Sequence, residues 1–243
     1  MVLPRIYESC VIAINEKITL GESASHHLSH VLRMAMGDSL IIFNGSGGEY
    51  LAQIDAIHKK AVTVLIKNYN KENRESFLKI HLVQAITRSE KMDFVLQKAV
   101  ELGVSEFTPI FTERVNIKLP NDRLQKRIQH WQGVIISACE QSGRTIIPTL
   151  NKPLHYQDWL KTTTIDRGFI LHPFAKEKLG NLSIEKEVVT VIIGPEGGLS
   201  DAEISLAEEK GLHRLNLGPR ILRTETAPLA AITALQCFYG DMG

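Results

Sequence analysis

The segment Leu217–Ala227, LGPRILRTETA, places Arg220, Arg223 and Glu225 beside the apolar pair Ile221 and Leu222. Gly218 and Pro219 force a turn, Ile221 and Leu222 offer an apolar wall, and the charges packed beside them suit a functional loop. A solvated loop with surface charges is the plain alternative. A loop that also sets an isoleucine and a leucine among its arginines reads better as the wall of a crevice. About twenty residues earlier, Val188–Gly198, VVTVIIGPEGG, runs a β-branched strand into Gly194, Pro195, Glu196, Gly197 and Gly198. Glycines let a backbone approach a ligand without Cβ interference. Two strand–turn–helix junctions of this kind are how a parallel α/β sheet builds a ligand crevice at the carboxyl ends of its strands. An ordinary tight turn remains the other reading of GPEGG. The turn matches neither GxxxxGK[ST] nor GxGxxG, which argues against a P-loop nucleotide site and a Rossmann dinucleotide site.

Three further groups carry weaker signals. Glu140–Arg144, EQSGR, closes a long helical pattern, and a polar cap with glycine explains it as well as any role for Arg144. His172 ends the run GFILHP, where strand ends face a crevice, and a satisfied structural histidine explains it equally well. His26 and His30 have i,i+4 spacing, with His27 between them, but no carboxylate or cysteine stands at a complementary distance. No metal site is expected.

The bulk numbers narrow the class. With 44% hydrophobic and 23% charged residues, the 243-residue chain has the composition of a soluble globular protein of one large domain, or one domain plus a module. Twenty-eight basic against 27 acidic residues leave a net charge of +1, which excludes a polycation. Only the segment 71–150 has a basic surplus, twelve Lys/Arg against nine Asp/Glu. Cys10, Cys139 and Cys237 are dispersed, which predicts reduced thiols in a cytosolic protein. The opening MVLPRIYESC lacks the features of a signal peptide, and no apolar run reaches the roughly 20 residues that span a bilayer.

The elements that must hold these residues fall into two groups. Residues 1–70 read as a small β-barrel-like module: SLIIF (39–43), YLAQIDAI (50–57) and AVTVLI (61–66) are strands, with Gly45–Gly48 as a hairpin turn and His26–Met36 as the one helix. The polar stretch 71–76 is expected as linker, and 77–243 as the second domain. There, strands at 80–86, 106–111, 168–171 and 188–193 alternate with helices at 91–102 and 122–141. Ser200–Glu203 is a capping box, and a final helix carries Ala227, Ala230, Ala231, Ala234, Leu235 and Phe238 on one stripe. Such alternation implies a mostly parallel sheet with helices on both faces.

The blocks HHLSHVLRMAMGD (26–38), KMDFVLQKAVELGVSEFTPIFTERV (91–115), ACEQSGR (138–144), FILHPF (169–174), VIIGPEGGLSDAE (191–203) and LNLGPRILRTETAPLAA (215–231) resemble the RsmE family of 16S ribosomal RNA uridine N3-methyltransferases, in the SPOUT class. The resemblance spans nearly the whole chain. It implies an amino-terminal PUA-like β-barrel that contacts RNA, a carboxyl-terminal α/β domain with a trefoil knot, and a homodimer. It implies S-adenosyl-L-methionine in a pocket of Leu171, His172, Gly194, Pro195, Glu196, Gly197, Gly198, Leu217, Gly218, Ile221, Leu222 and Arg223. Candidate catalytic residues are Arg144, contributed across the dimer, with Glu196, Arg223 and Glu225, and the choice of base stays open. The implied partner is 16S rRNA within the 30S subunit in the cytoplasm, with no metal and no membrane. Two other readings compete: a ribose 2′-O-methyltransferase of the same class, and a noncatalytic RNA-binding assembly protein.

Overall fold

The computed structural model describes residues 3–58, 61–115, 120–181 and 188–243. It divides into two compact units, one of residues 1–75 with 139–147, the other of 76–138 with 148–243. In the first unit, β1 (Arg5–Tyr7), β2 (Lys17–Thr19), β3 (Ser39–Phe43), β4 (Glu49–His58) and β5 (Ala61–Asn70) form a sheet of order β1-β3-β4-β5-β2. All its pairings are antiparallel except β1 with β3. Alternate residues point inward, so Leu40, Ile42, Ala52, Ile54, Val62, Val64 and Ile66 meet Leu28 in one core. The β3–β4 turn takes positive φ at Gly45, Gly47 and Gly48, and a Cβ on Gly48 would overlap the Tyr69 ring.

Two expectations change here. The helix expected over His26–Met36 is instead α1 (Glu22–His26) followed by one π turn, His27–Val31, and the chain leaves it at Arg33 with φ 54°. A wide turn breaks the 3.6-residue repeat, so the spacing of Leu28, Val31 and Leu32 overstated the helix; Val31 is 60% exposed. The expected linker 71–76 contains Glu75, whose side chain is buried against Arg144. Cys139–Ile147, expected in the second domain, accordingly packs into the first unit.

The second unit is a parallel sheet. Its strands are β6 (Lys79–Ala85), β7 (Val104–Phe111), β8 (Thr149–Leu150), β9 (Leu154–His155), β10 (Gly168–Leu171), β11 (Val188–Ile193) and β12 (His213–Leu215). They run in the order β12-β10-β11-β6-β7-β8, with β9 also on β7. Strand β11 is apolar but for Thr190, and β6 is buried from Ile80 to Ala85 with His81 and Gln84 among its apolar residues, as expected of strands covered on both faces. On one face Val83, Ala85, Ile170 and Ile192 pack against α4 (Tyr156–Thr162) and α5 (Asp201–Glu209). The alternate positions face α2 (Ser89–Glu101) and α6 (Thr226–Tyr239), which pack on each other. The remaining helix, α3 (Asn121–Ser142), carries the chain from the second unit into the first. The stripe on α6 divides: Ala227, Ala231 and Leu235 are buried, whereas Phe238 is 62% exposed. Residues 230, 234 and 238 form the next i,i+4 row and point away from the core. No helix among the described residues is long and apolar enough to cross a membrane.

Candidate functional site

Three neighbouring strands, β12, β10 and β11, end in turns at the same edge of the parallel sheet, and a crevice of about 800 Å³ opens there. That volume lies within the roughly 300–1,000 Å³ of small-molecule sites. The β10 turn contributes Leu171 and His172, the β11 turn Gly194–Gly198, and the β12 turn Ile221, Leu222 and Arg223. Leu217 and Gly218 line the adjoining recess together with Leu171, His172, Ile221 and Leu222. All twelve expected pocket residues therefore line one crevice or its recess.

The turns are held by hydrogen bonds that follow from their residue types. Asn216 Nδ2 donates to Pro173 O at 2.5 Å while its Oδ1 accepts from Gly218 N at 2.5 Å, joining the β10 and β12 turns. Thr224 Oγ1 donates to Gly194 O at 2.8 Å and accepts from the buried Gln84 Nε2 at 3.3 Å. Gly198 N donates to Pro195 O, closing the GPEGG turn, and Gly198 sits at φ 71°. The capping box forms as expected: Glu203 N donates to Ser200 Oγ and Ser200 N to Glu203 Oε2. Glu203 Oε1 also accepts from Glu113 N, which brings Arg114 to the glycine turn. Arg114 Nη1 then donates to Gly197 O at 2.8 Å. His172 accepts from Phe174 N through Nδ1 at 3.3 Å, so one ring nitrogen is already engaged.

The charged candidates separate in position and in partners. Lys91, in the first turn of α2, places Nζ 3.0 Å from Glu196 Oε1 and 3.2 Å from Glu225 Oε2. For both carboxyls desolvation works upward, but their own backbone amides and Lys91 outweigh it and hold them below the usual carboxylate range. The two carboxylates raise the pKa of the Lys91 ammonium in return, Glu196 first and Glu225 second. The Arg223 guanidinium makes no hydrogen bond or ion pair among the described residues; it stands on the crevice wall, where its charge helps to hold the Glu225 carboxyl down. Arg144 is elsewhere: it belongs to the first unit, and its guanidinium is bound by both oxygens of Glu75 with each side chain 5% exposed. The structure does not place it among the crevice residues.

Sequence reasoning missed Lys91, Arg114, Gln84 and Thr224. Lys91 and Arg114 lay inside the block 91–115 without a local motif of their own, and only the fold brings them to the glycine turn. His26 and His30 stack with ring centroids 4.7 Å apart, and no cluster of three metal-ligating side chains occurs among the described residues.

Comparison with known proteins gives a consistent result. Residues 74–236 match the RNA methyltransferase domain family, and residues 20–67 match the RNA methyltransferase PUA domain. The chain is 39% identical over 241 residues to a ribosomal RNA small subunit methyltransferase E from Buchnera aphidicola subsp. Schizaphis graminum, covering 99% of this chain and 98% of that protein. It is similar to a solved methyltransferase from Legionella pneumophila in complex with the cofactor SAM (TM-score 0.96, 41% identity, 99% and 100% of the two chains covered). It is also similar to a ribosomal RNA small subunit methyltransferase E from Neisseria gonorrhoeae bound to S-adenosyl methionine (TM-score 0.94, 35% identity, 99% and 100% covered).

Proposed function

Because the chain belongs to the ribosomal RNA small subunit methyltransferase E family, with a SPOUT-type parallel sheet and a PUA domain, we propose that it methylates N3 of one uridine in the decoding region of 16S rRNA. The observation that carries this reading is the crevice at the ends of β10, β11 and β12, built by the residues expected to take S-adenosyl-L-methionine. The lining fits that cofactor. Leu171, Ile193, Leu217 and Leu222 offer apolar wall for an adenosine. The main-chain amides of Leu217 and Leu222 make no hydrogen bond among the described residues, which leaves donors for ring nitrogens. When bound, the sulfonium supplies an electrophilic methyl, so no metal is required.

The chain's own work is on the nucleophile. Uridine N3 carries a weakly acidic proton, so the reactive anion is scarce at neutral pH. Glu196 and Glu225 are ionised and tethered to Lys91, which makes them weak bases and fixes them as anchors of the crevice mouth. Arg223, on the wall beside Glu225, stabilises negative charge that spreads over the base. Arg144, closed in its pair with Glu75, has a structural part in this reading.

The PUA domain docks the RNA by shape, since a net charge of +1 gives little nonspecific phosphate affinity. The assembled 30S subunit, present in the cytoplasm, is the preferred substrate, because a naked transcript does not hold that shape. This reading includes a trefoil knot in the carboxyl-terminal domain and a homodimer, for which the outward row of α6 with the exposed Phe238 is the surface offered to a second copy. Transfer of labelled methyl from S-adenosyl-L-methionine to 30S particles and to free 16S rRNA tests the substrate. The 30S particle is expected to react faster, and equal rates would refute the preference. A monomer by light scattering at micromolar concentration would refute the dimer.

A further inference from the structure

Beside the crevice lies a second groove of about 740 Å³, bordered by Ile86, Arg88, Glu113, Arg114 and Val115. The two volumes share Lys91, Arg114, Pro195, Glu196 and Gly197. Arg114 is committed to the carbonyls of Gly197 and Leu199, and Glu196 to Lys91. Lys91 differs. Its ammonium has three N–H donors: one hydrogen-bonds Glu196 Oε1, and Glu225 Oε2 lies 3.2 Å away as an ion-pair contact, so at least one donor is left for a ligand. Its side chain is 31% exposed, so it is reachable from the groove. A base that reaches the crevice through this groove passes Lys91 Nζ at the point where the two volumes meet.

We propose that Lys91 is a catalytic residue that touches the target base, donating to the carbonyl oxygen next to the reacting nitrogen and holding the charge that develops there. This rests on the N3 reading given above. In the step, the N3–H bond breaks and its proton passes to water. The electron pair left on N3 forms the bond to the methyl carbon, while the carbon–sulfur bond breaks with its electrons returning to sulfur, leaving a neutral thioether. Before transfer the base carries a negative charge shared between N3, O2 and O4, and a fixed ammonium at one of those oxygens makes the anion more accessible. Glu196 and Glu225 hold the ammonium in place and keep it protonated. The other charges around it are Arg88 and Arg114 on the groove side, Glu113 at its rim, and Arg223 on the crevice side.

The test uses the full chain with 30S particles. Lys91→Gln removes the charge but keeps a donor, and Lys91→Arg keeps the charge. For Lys91→Gln, kcat is expected to fall at pH 7, by up to about 10²-fold, the loss that follows removal of a whole donor to an oxyanion, because the amide keeps a donor but not the charge that stabilises the anion. The deficit is expected to shrink as pH rises to 9.5, where hydroxide supplies the anion, and affinity for S-adenosyl-L-methionine by calorimetry is expected to stay within threefold. Lys91→Arg is expected to recover most of the rate. A deficit that is the same at every pH, or a loss confined to cofactor affinity, would overturn the proposal and leave Lys91 as a structural tie. The product made by the unaltered protein tests the N3 reading separately: a methyl on a ribose hydroxyl removes that reading whatever the Lys91 variants do.

Discussion

Thr224 Oγ1 donates to Gly194 O across 2.8 Å, and this single hydroxyl ties the turn after β12 to the turn after β11. Both turns line the crevice proposed for the cofactor, so the hydroxyl fixes their spacing. Thr224→Val keeps the shape but leaves Gly194 O and Gln84 Nε2 short of a partner. It is expected to cost about 1–3 kcal/mol of stability. It should also weaken binding of S-adenosyl-L-methionine about tenfold, as each 1.4 kcal/mol of lost interaction does. Calorimetric titration and urea unfolding of the same variant check both, and an unchanged affinity would show that the turns hold their spacing without Thr224.

Gly198 and Gly218 separate two kinds of backbone demand. A Cβ at either meets no atom within 4 Å, so space does not forbid a side chain. Conformation does: Gly198 at φ 71° lies in the left-handed region that alanine reaches at about 1–2 kcal/mol, whereas Gly218 at φ 124° lies beyond it. Gly218→Ala is therefore expected to lose more cofactor affinity than Gly198→Ala, and the β-branched Gly198→Val to abolish binding while unfolding stays cooperative. Calorimetry on the three variants gives the order, and Gly198→Ala losing the more affinity of the two alanine variants would contradict it.

Arg144 and Glu75 form a buried ion pair in the first unit. Removing one partner strands the other charge, so Arg144→Ala is expected to destabilise by about 3–5 kcal/mol, and the double change Glu75→Leu with Arg144→Met to recover most of that. Denaturant unfolding measures both, and cofactor affinity is expected to hold in the double variant. An Arg144→Ala protein that is fully stable but transfers no methyl would instead put Arg144 in the reaction. Arg5 Nη2 donates to Arg144 O and Tyr7 N to Glu140 Oε1, so deleting residues 1–70 is expected to damage more than RNA docking, because 139–147 then loses the unit it packs in.

His81 is buried on β6, with Nε2 2.7 Å from Thr108 Oγ1. Desolvation lowers its pKa, and the more distant Glu106 raises it only in part. The unfolded chain therefore takes up a proton near pH 6.5 that the folded chain refuses until lower pH. Stability is fully present above about pH 6.5 and declines as pH falls from there toward the folded value. Melting temperatures between pH 7.5 and 5 should show this slope, and it should flatten in His81→Gln. An unchanged slope in the variant would assign the effect to other groups.

Legibility followed range. The strands 39–43, 168–171 and 188–193 were read to the residue, because β-branched runs bounded by glycine and polar turns specify themselves locally. The capping box at Ser200 and Glu203 is equally local. Strands β1 and β2, each three residues long, went unread because their pairing comes from partners far along the chain. The turns after β11 and β12 were legible because they carry glycine and proline, whereas the full set of pocket residues, Leu171 and Leu217 among them, came from the family resemblance. Lys91 was not, since its chemistry comes from Glu196 and Glu225, 105 and 134 residues away. Phe238 looked like core on a helical wheel, but a period alone does not say which of two adjacent rows a sheet will cover.

The central claim is that this chain methylates N3 of a uridine in 16S rRNA, and the position of the methyl on the product tests it most directly. The purified full-length protein is incubated with unmethylated 30S subunits and methyl-labelled S-adenosyl-L-methionine, and the rRNA is digested and analysed by mass spectrometry. The account predicts one labelled nucleoside, 3-methyluridine, whose label stays with the free base after the sugar is removed, from a single site in the decoding region. Label that stays with the ribose, or no transfer by a protein that binds the cofactor, would contradict it.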